Sequence, residues 1–321
     1  MKLHSSEEIR VKGRLSGIRK LLFRIKAEKI SLSHATNSFF LIIADRVYNK
    51  LRKQADKFEE DVFIKLWLKN VDGKTFFDFN GALLPDISND AINWNLFYNM
   101  IFEDTFLIDC YYGDDYGRET VDVLDKLMPE GPYGYKDDSA GFDVRVREGD
   151  VVIDGGAWIG DFSAYSASKG ALVYAFEPVN ENYEILKKTA ELNSNRIIPV
   201  KMGLGDSDFD ADISLDIGIN SLGHSIILKN SETTRKIHIT SIDKYVKENG
   251  IEKVDFIKAD IEGAERDMLK GAEATLKRFA PRLAICTYHL HDDPAVLKQL
   301  ILNANPAYRI VQLRKKLFAC V

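Results

Sequence analysis

The segment Val254-Asp255-Phe256-Ile257-Lys258-Ala259-Asp260-Ile261-Glu262-Gly263-Ala264-Glu265 is an apolar run of strand character that empties three carboxylates, Asp260, Glu262 and Glu265, in quick succession. Ligands of open α/β sheets bind beyond the carboxyl ends of the strands. Acids gathered at such an edge could bind a cation, receive a proton or position a bound donor. The competing reading is a salt-bridged helix start, because acids are favoured in a first helical turn. A second strand-like run ends in Asp154-Gly155-Gly156-Ala157-Trp158-Ile159-Gly160 and leads into a helix from about Asp161. Glycines at a strand-to-helix turn let a ligand approach the backbone, and the helix start offers free N–H groups; a tight turn also needs glycine for steric reasons alone. One strand–helix–strand unit later, Tyr174-Ala175-Phe176-Glu177-Pro178 places a carboxylate where it can accept hydrogen bonds from both hydroxyls of a ribose.

Two cofactors present an adenosine to such an acid, a nicotinamide dinucleotide and S-adenosylmethionine. The loop carries Ala157 where a second glycine would let a pyrophosphate lie on the backbone. A sulfonium cofactor has no phosphate to cradle, and Asp154 is placed to hold its methionine ammonium, directly or through water. The loop residues Gly155, Gly156, Ala157 and Gly160, with Glu177, are therefore expected to contact S-adenosylmethionine. An NAD-dependent oxidoreductase and a catalytically silent binding module are the alternatives. Asp206, just past the third strand, is placed to reach the adenine amino group, or is simply an acidic turn.

These motifs, together with Ile239-Thr240-Ser241-Ile242-Asp243 and the Asp260-Ile261-Glu262-Gly263-Ala264-Glu265 stretch, resemble those of the FkbM-type methyltransferases from about Gly141 to the C-terminus. The resemblance implies a class I methyltransferase fold and transfer of a methyl group from S-adenosylmethionine, usually to a hydroxyl of a sugar or natural product. It also sets the cofactor against Asp154, Gly156 and Gly160, its ribose on Glu177, and Asp260, Ile261, Glu262 and Gly263 beside the transferred methyl. Trp158 stands where many members carry asparagine.

An alcohol acceptor loses a proton as it attacks, and imidazole titrates near neutrality. Tyr288-His289-Leu290-His291-Asp292-Asp293 follows the fifth strand of the sheet, and the family often shows a Tyr-His pair there, so His289 is the first candidate base, with Asp260 beside it. His224, on a long insertion between the third and fourth strands, is the second. The structural alternative for the Tyr288 segment is a helix-leading loop capped by Asp292 or Asp293, which Pro294 favours. His4, His34 and His238 carry no functional signal.

No residue set is assigned to a metal. Asp206-Ser207-Asp208-Phe209-Asp210-Ala211-Asp212 resembles the start of a calcium loop, but Ala211 and Ile217 occupy the positions where such a loop needs Gly and Glu. Cys110, Cys286 and Cys320 are too scattered for a thiolate zinc site or a disulfide framework, which fits a reducing cytoplasm.

Apolar runs alternating with amphipathic stretches position these groups. Strands are expected at Val151–Asp154, Leu172–Phe176, Ile197–Lys201, Val254–Ala259, Leu283–Thr287, Tyr308–Leu313 and Leu317–Val321. The pattern is that of a mostly parallel, seven-stranded α/β sheet. The turn Arg314-Lys315-Lys316 is too short for a parallel crossover, so the sheet should close in an antiparallel hairpin. Upstream, residues 62–69 and 74–79 flank Asn70-Val71-Asp72-Gly73 as a hairpin, residues 90–128 have helical character, and the turn-rich segment 129–135 sets a domain boundary near Ser139. A smaller α+β cap (1–138) thus precedes the cofactor-binding domain (139–321).

Residues 1–54 hold 13 Lys/Arg against 4 Asp/Glu, within a chain of net charge -5. The basic amphipathic stretch at 8–29 suits a solvated helix, an anionic membrane surface or a protein partner. The acidic remainder would repel phosphates and so disfavours nucleic acid as substrate. A small-molecule or glycan acceptor is expected instead. No apolar run near the start is long enough to span a bilayer.

Overall fold

The computed structural model describes residues 68–79, 81–87, 133–214, 234–313 and 315–321. The basic stretch at 8–29, the helical reading of 90–128 and His224 lie outside them. The chain divides into two compact units, Met1–Lys74 with Cys110–Leu127, and Thr75–Asp109 with Met128–Val321. The described part of the first is β1 (Leu68–Val71), the turn that follows and Lys74; all else below belongs to the second.

β2 (Lys74–Phe79) and β3 (Ala82–Pro85) pair antiparallel, as do β4 (Tyr135–Asp137) and β5 (Phe142–Val144). Then come β6 (Val151–Gly155), α1 (Asp161–Ser168), β7 (Leu172–Phe176), α2 (Asn180–Leu192) and β8 (Ile197–Val200). A small sheet follows, made of β9 (Gly203–Leu204), β10 (Phe209–Ser214) and β11 (Thr234–Thr240). The chain continues through α3 (Ile242–Glu248), β12 (Phe256–Ala259), α4 (Glu265–Lys270), α5 (Glu273–Phe279), β13 (Arg282–Cys286), α6 (Asp293–Ala304), β14 (Arg309–Leu313) and β15 (Lys316–Cys320).

The main sheet runs β14-β15-β13-β12-β6-β7-β8, parallel throughout except that β15 lies antiparallel between β13 and β14. This is the Rossmann-like class I methyltransferase arrangement, and the seven strands fall where the apolar runs place them. β6 and β12 are covered on both faces, which is why Val151-Val152-Ile153 and Phe256-Ile257 read as continuous apolar runs rather than as alternation. Strand order reverses between these two strands. Their carboxyl ends therefore open the crevice where an α/β sheet takes its ligand.

Two features outside the seven strands hold this edge in place. Val179, two residues past Glu177, is buried with Ile213 of β10 and Ile237 and Ile239 of β11, so the small sheet packs against the segment that presents Glu177. The Thr240-Ser241-Ile242-Asp243 motif caps two helices. Ser241 accepts from the Lys244 N–H at the start of α3, and the Asp243 carboxylate accepts from the Ala274 and Thr275 N–H groups at the start of α5. Among the described residues, no helix is long and apolar enough to cross a membrane.

The β2–β3 hairpin buries Phe77, Ala82 and Leu84, and β3 contacts α1 and α2. Asn193, at the end of α2, makes β3's missing ladder bonds: its Oδ1 accepts from Leu83 N–H at 3.1 Å and its Nδ2 donates to Leu83 C=O at 2.7 Å. Substitution of Asn193 by alanine leaves both backbone groups short of a partner, and a loss of about 2 kcal/mol is expected in urea unfolding. A loss below about 0.5 kcal/mol would show that water replaces the side chain freely.

Candidate active site

The loop after β6 is fixed from inside the protein. Gly156 and Ala157 N–H both donate to Phe176 C=O, Trp158 N–H donates to Glu177 Oε2 at 3.0 Å, and Gly160 N–H donates to Ala157 C=O. These four donors are engaged in holding the shape of the loop itself. Gly156 sits at φ +71, and a Cβ there would lie 2.0 Å from the Asp260 carbonyl oxygen. Glycine is thus required by the approach of the β12 edge to this loop.

Glu177 is buried at the end of β7, with Val179 N–H on Oε1 at 2.9 Å and the Asn182 amide at 3.4 Å in addition to Trp158. Burial pushes its carboxyl up to about 7, against the lowering effect of the hydrogen bonds from Val179, Asn182 and Trp158. Trp158 holds a left-handed conformation, φ 50, that asparagine adopts more readily than any bulky residue. Its indole Nε1 is buried without a hydrogen-bond partner.

Asp154 and Lys258 are directly opposed on β6 and β12. Asp154 is 0% exposed and Lys258 4%, and Lys258 Nζ lies 3.0 Å from Asp154 Oδ1. The ammonium also donates to Gly155 C=O at 3.1 Å and Gly156 C=O at 2.7 Å, while Asp154 Oδ2 accepts from Ser163 Oγ at 2.6 Å. Burial disfavours the charge on Lys258, but Asp154, Asp260 and Asp161 outweigh it and raise the lysine above its usual range.

Asp260 stands at the mouth of this crevice between two tyrosines. Tyr133 OH donates to Oδ2 and Tyr288 OH to Oδ1, each at 3.0 Å. Burial raises an acid, yet Lys258, His289, Lys316 and the Tyr288 hydroxyl together hold Asp260 below the usual carboxylate range. Lys316, on β15, lies 4.0 Å from the centre of the Tyr133 ring. The His289 side chain is 3% exposed, with Nε2 3.6 Å from Asp260 Oδ1 and 3.4 Å from Glu262 Oε2, and Nδ1 3.1 Å from Glu265 Oε1. Glu265 is 0% exposed and also accepts from Ile261 and Gly263 N–H.

The sequence family of the methyltransferase FkbM domain matches residues 154–310, the span that carries all of these groups except Tyr133 and Lys316. Residues 154–310 therefore carry a methyltransferase FkbM domain. The chain is 29% identical over 174 residues to the hexuronic acid methyltransferase AglP of Haloferax volcanii, an alignment covering 53% of this chain and 69% of that protein. Among solved structures it is similar to an FkbM methyltransferase from Methylobacillus flagellatus KT, with 23% identity and a TM-score of 0.43 over 55% of this chain. The chain spans 44% of that crystallised protein.

This geometry assigns several motif residues of the FkbM domain differently from the sequence. Asp154, read from the sequence as a holder of the methionine ammonium, lies in a buried ion pair with Lys258 and accepts from the Ser163 hydroxyl. The N–H groups of Ile261 and Gly263 belong to Glu265, which leaves them as loop-builders. His289 is enclosed by carboxylates. Burial would lower its pKa, but Glu262, Glu265 and Asp260 raise it to about 10, and an imidazolium has no lone pair with which to take a proton. Asp206 is exposed and accepts from the neighbouring Ser207 hydroxyl, while its backbone packs against Gly271. The helix-start reading of Asp292 and Asp293 also has substance: α6 begins there, and buried Asp293 accepts from Leu290 N–H and Arg266.

Lys258, Tyr133, Ser163 and Lys316 are the members of the site that sequence reasoning did not single out. A lysine within Val-Asp-Phe-Ile-Lys-Ala, an otherwise apolar buried run, was the one available signal.

Proposed function

We propose that this chain is an S-adenosylmethionine-dependent O-methyltransferase whose acceptor is a sugar hydroxyl, with a hexuronic acid as the first substrate class to test. The observation that carries the reading is Asp260, held between the Tyr133 and Tyr288 hydroxyls at the crevice where β6 and β12 part. The relative that acts on a hexuronic acid supports the acceptor class. The cofactor fits the residues present: Glu177 would hold the ribose, and the loop that its carboxylate ties down carries the unpartnered donor Trp158 Nε1. S-adenosylmethionine supplies an electrophilic methyl group.

The protein's part is alignment. Well-oriented reactants gain about 7–11 kcal/mol over free ones, and the two tyrosines fix the carboxylate that orients the acceptor hydroxyl. Asp260, held in its anionic form, accepts the hydroxyl's hydrogen bond and then its proton as the oxygen attacks.

The test combines binding and turnover. Calorimetric titration with S-adenosylhomocysteine is expected to show affinity falling below pH 7, approaching tenfold per pH unit, because a protonated Glu177 can no longer accept from both ribose hydroxyls. Glu177→Gln should flatten that profile. A flat profile in the unmodified protein removes Glu177 as the ribose ligand, and absence of methyl transfer to any uronic acid removes the acceptor class.

A further inference from the structure

We propose that Asp260, Glu262 and His289 form a divalent-cation site that chelates the acceptor, an inference resting on the methyltransferase reading above. The sequence assigned no metal, because the acids and the histidine are about thirty residues apart along the chain and meet only through the neighbouring β12 and β13 edges.

One ligand atom from each of the three residues comes within 4.8 Å of the other two. The separations from His289 Nε2, 3.6 Å to Asp260 and 3.4 Å to Glu262, are long for hydrogen bonds. They are close to those of ligands sharing an ion: two groups each about 2.1 Å from one cation stand about 3.0 Å apart at a right angle and about 3.4 Å apart at a tetrahedral angle, so the longer separation need close by only a few tenths of an ångström. Independently, both ring nitrogens of His289 are buried and neither meets hydrogen-bond geometry, although the ring is aimed into the cluster.

The surroundings are those of a ligand set. A metal-bound histidine commonly turns its other nitrogen to a carboxylate, and Nδ1 of His289 faces buried Glu265 at 3.1 Å. Ligating carboxylates are in turn hydrogen-bonded, as Asp260 is by Tyr133 and Tyr288. Two carboxylate oxygens and one imidazole, whose Nε2 proton the incoming cation displaces, suit Mn²⁺ with positions left open. An α-hydroxy-carboxylate or adjacent hydroxyls of a uronic acid would fill them, and the bound hydroxyl would ionise more easily. In the transfer the acceptor O–CH₃ bond forms as the S–CH₃ bond breaks, and the hydroxyl proton passes to Asp260 Oδ2 and on to water.

The experiment uses the full chain, stripped with EDTA and dialysed, and titrated calorimetrically with Mn²⁺ alone; S-adenosylhomocysteine is titrated into the same metal-free protein. One Mn²⁺ site in the unmodified chain, weakened at least about tenfold in Glu262→Gln, together with EDTA-sensitive methyl transfer, is the expected result. The Glu262 side chain is 29% exposed, and S-adenosylhomocysteine binding by Glu262→Gln reports that the variant is folded. No Mn²⁺ binding by the unmodified chain, or equal binding by the variant, overturns the cation site even where S-adenosylhomocysteine binds normally. Loss of S-adenosylhomocysteine binding with Mn²⁺ binding intact overturns the cofactor reading and leaves the cation site standing.

Discussion

Replacing Asp260 by asparagine is expected to slow methyl transfer by about 10²–10⁴-fold, the range typical of removing a positioned acid–base group. Asparagine keeps the shape of aspartate and can still accept from one tyrosine, so folding should survive. It cannot hold a proton or carry the negative charge that Tyr133, Tyr288 and the surrounding cations are arranged around. Glu177 and the glycine loop lie on the neighbouring strands and keep their own hydrogen bonds. Affinity for S-adenosylhomocysteine should therefore change by less than about threefold, well under 1 kcal/mol. Turnover and calorimetric binding measured on the same preparation decide the matter: a turnover loss below about tenfold, or binding lost in step with turnover, removes Asp260 from the chemistry.

Lys258→Met is expected to cost about 3–5 kcal/mol of folding stability, the usual consequence of stripping the partner from a buried charge. The ammonium ties the Asp154 carboxylate to the Gly155 and Gly156 carbonyls, so its loss orphans an ion and two backbone acceptors at the centre of the sheet. Adding Asp154→Asn should recover part of the loss, because a neutral amide costs far less to bury than an unpaired carboxylate. Urea unfolding of both variants tests this. A cost below about 1 kcal/mol for Lys258→Met would falsify the pairing as a structural element.

The seven strands and their antiparallel close were legible because buried parallel strands leave uninterrupted apolar runs. The small sheet was written just as clearly: Phe209, Ala211 and Ile213 alternate with aspartates, and Ile237 and Ile239 alternate with Lys236 and His238, a period of two. The density of aspartates in that stretch drew attention to calcium instead of to alternation. Glu177 and Asp260 could be placed because each follows a strand directly, so its position at the sheet edge comes from local sequence.

What could not be read is what depends on register between distant strands. Nothing in the chain says that Lys258 lies opposite Asp154, 104 residues earlier in sequence, or that Tyr133 returns to Asp260. The true partners of the Asp260-Ile261-Glu262-Gly263-Ala264-Glu265 motif were hidden for the same reason. Its last glutamate, which looked like a helix-start acid, turns inward to hold the loop's own amides and to face His289.

The placing of β15 separates two boundaries that are easily confused. The family match ends at residue 310, inside β14, yet the next strand, Lys316–Cys320, is threaded between β13 and β14 and is the inner of the two. The matched span is therefore shorter than the cooperative unit. A fragment cut to the limits of the homology would present the bare hydrogen-bonding edge of β13 to solvent, an invitation to pair with another molecule. The last dozen residues are the keystone of the sheet, and they also bring Lys316 to the Tyr133 ring.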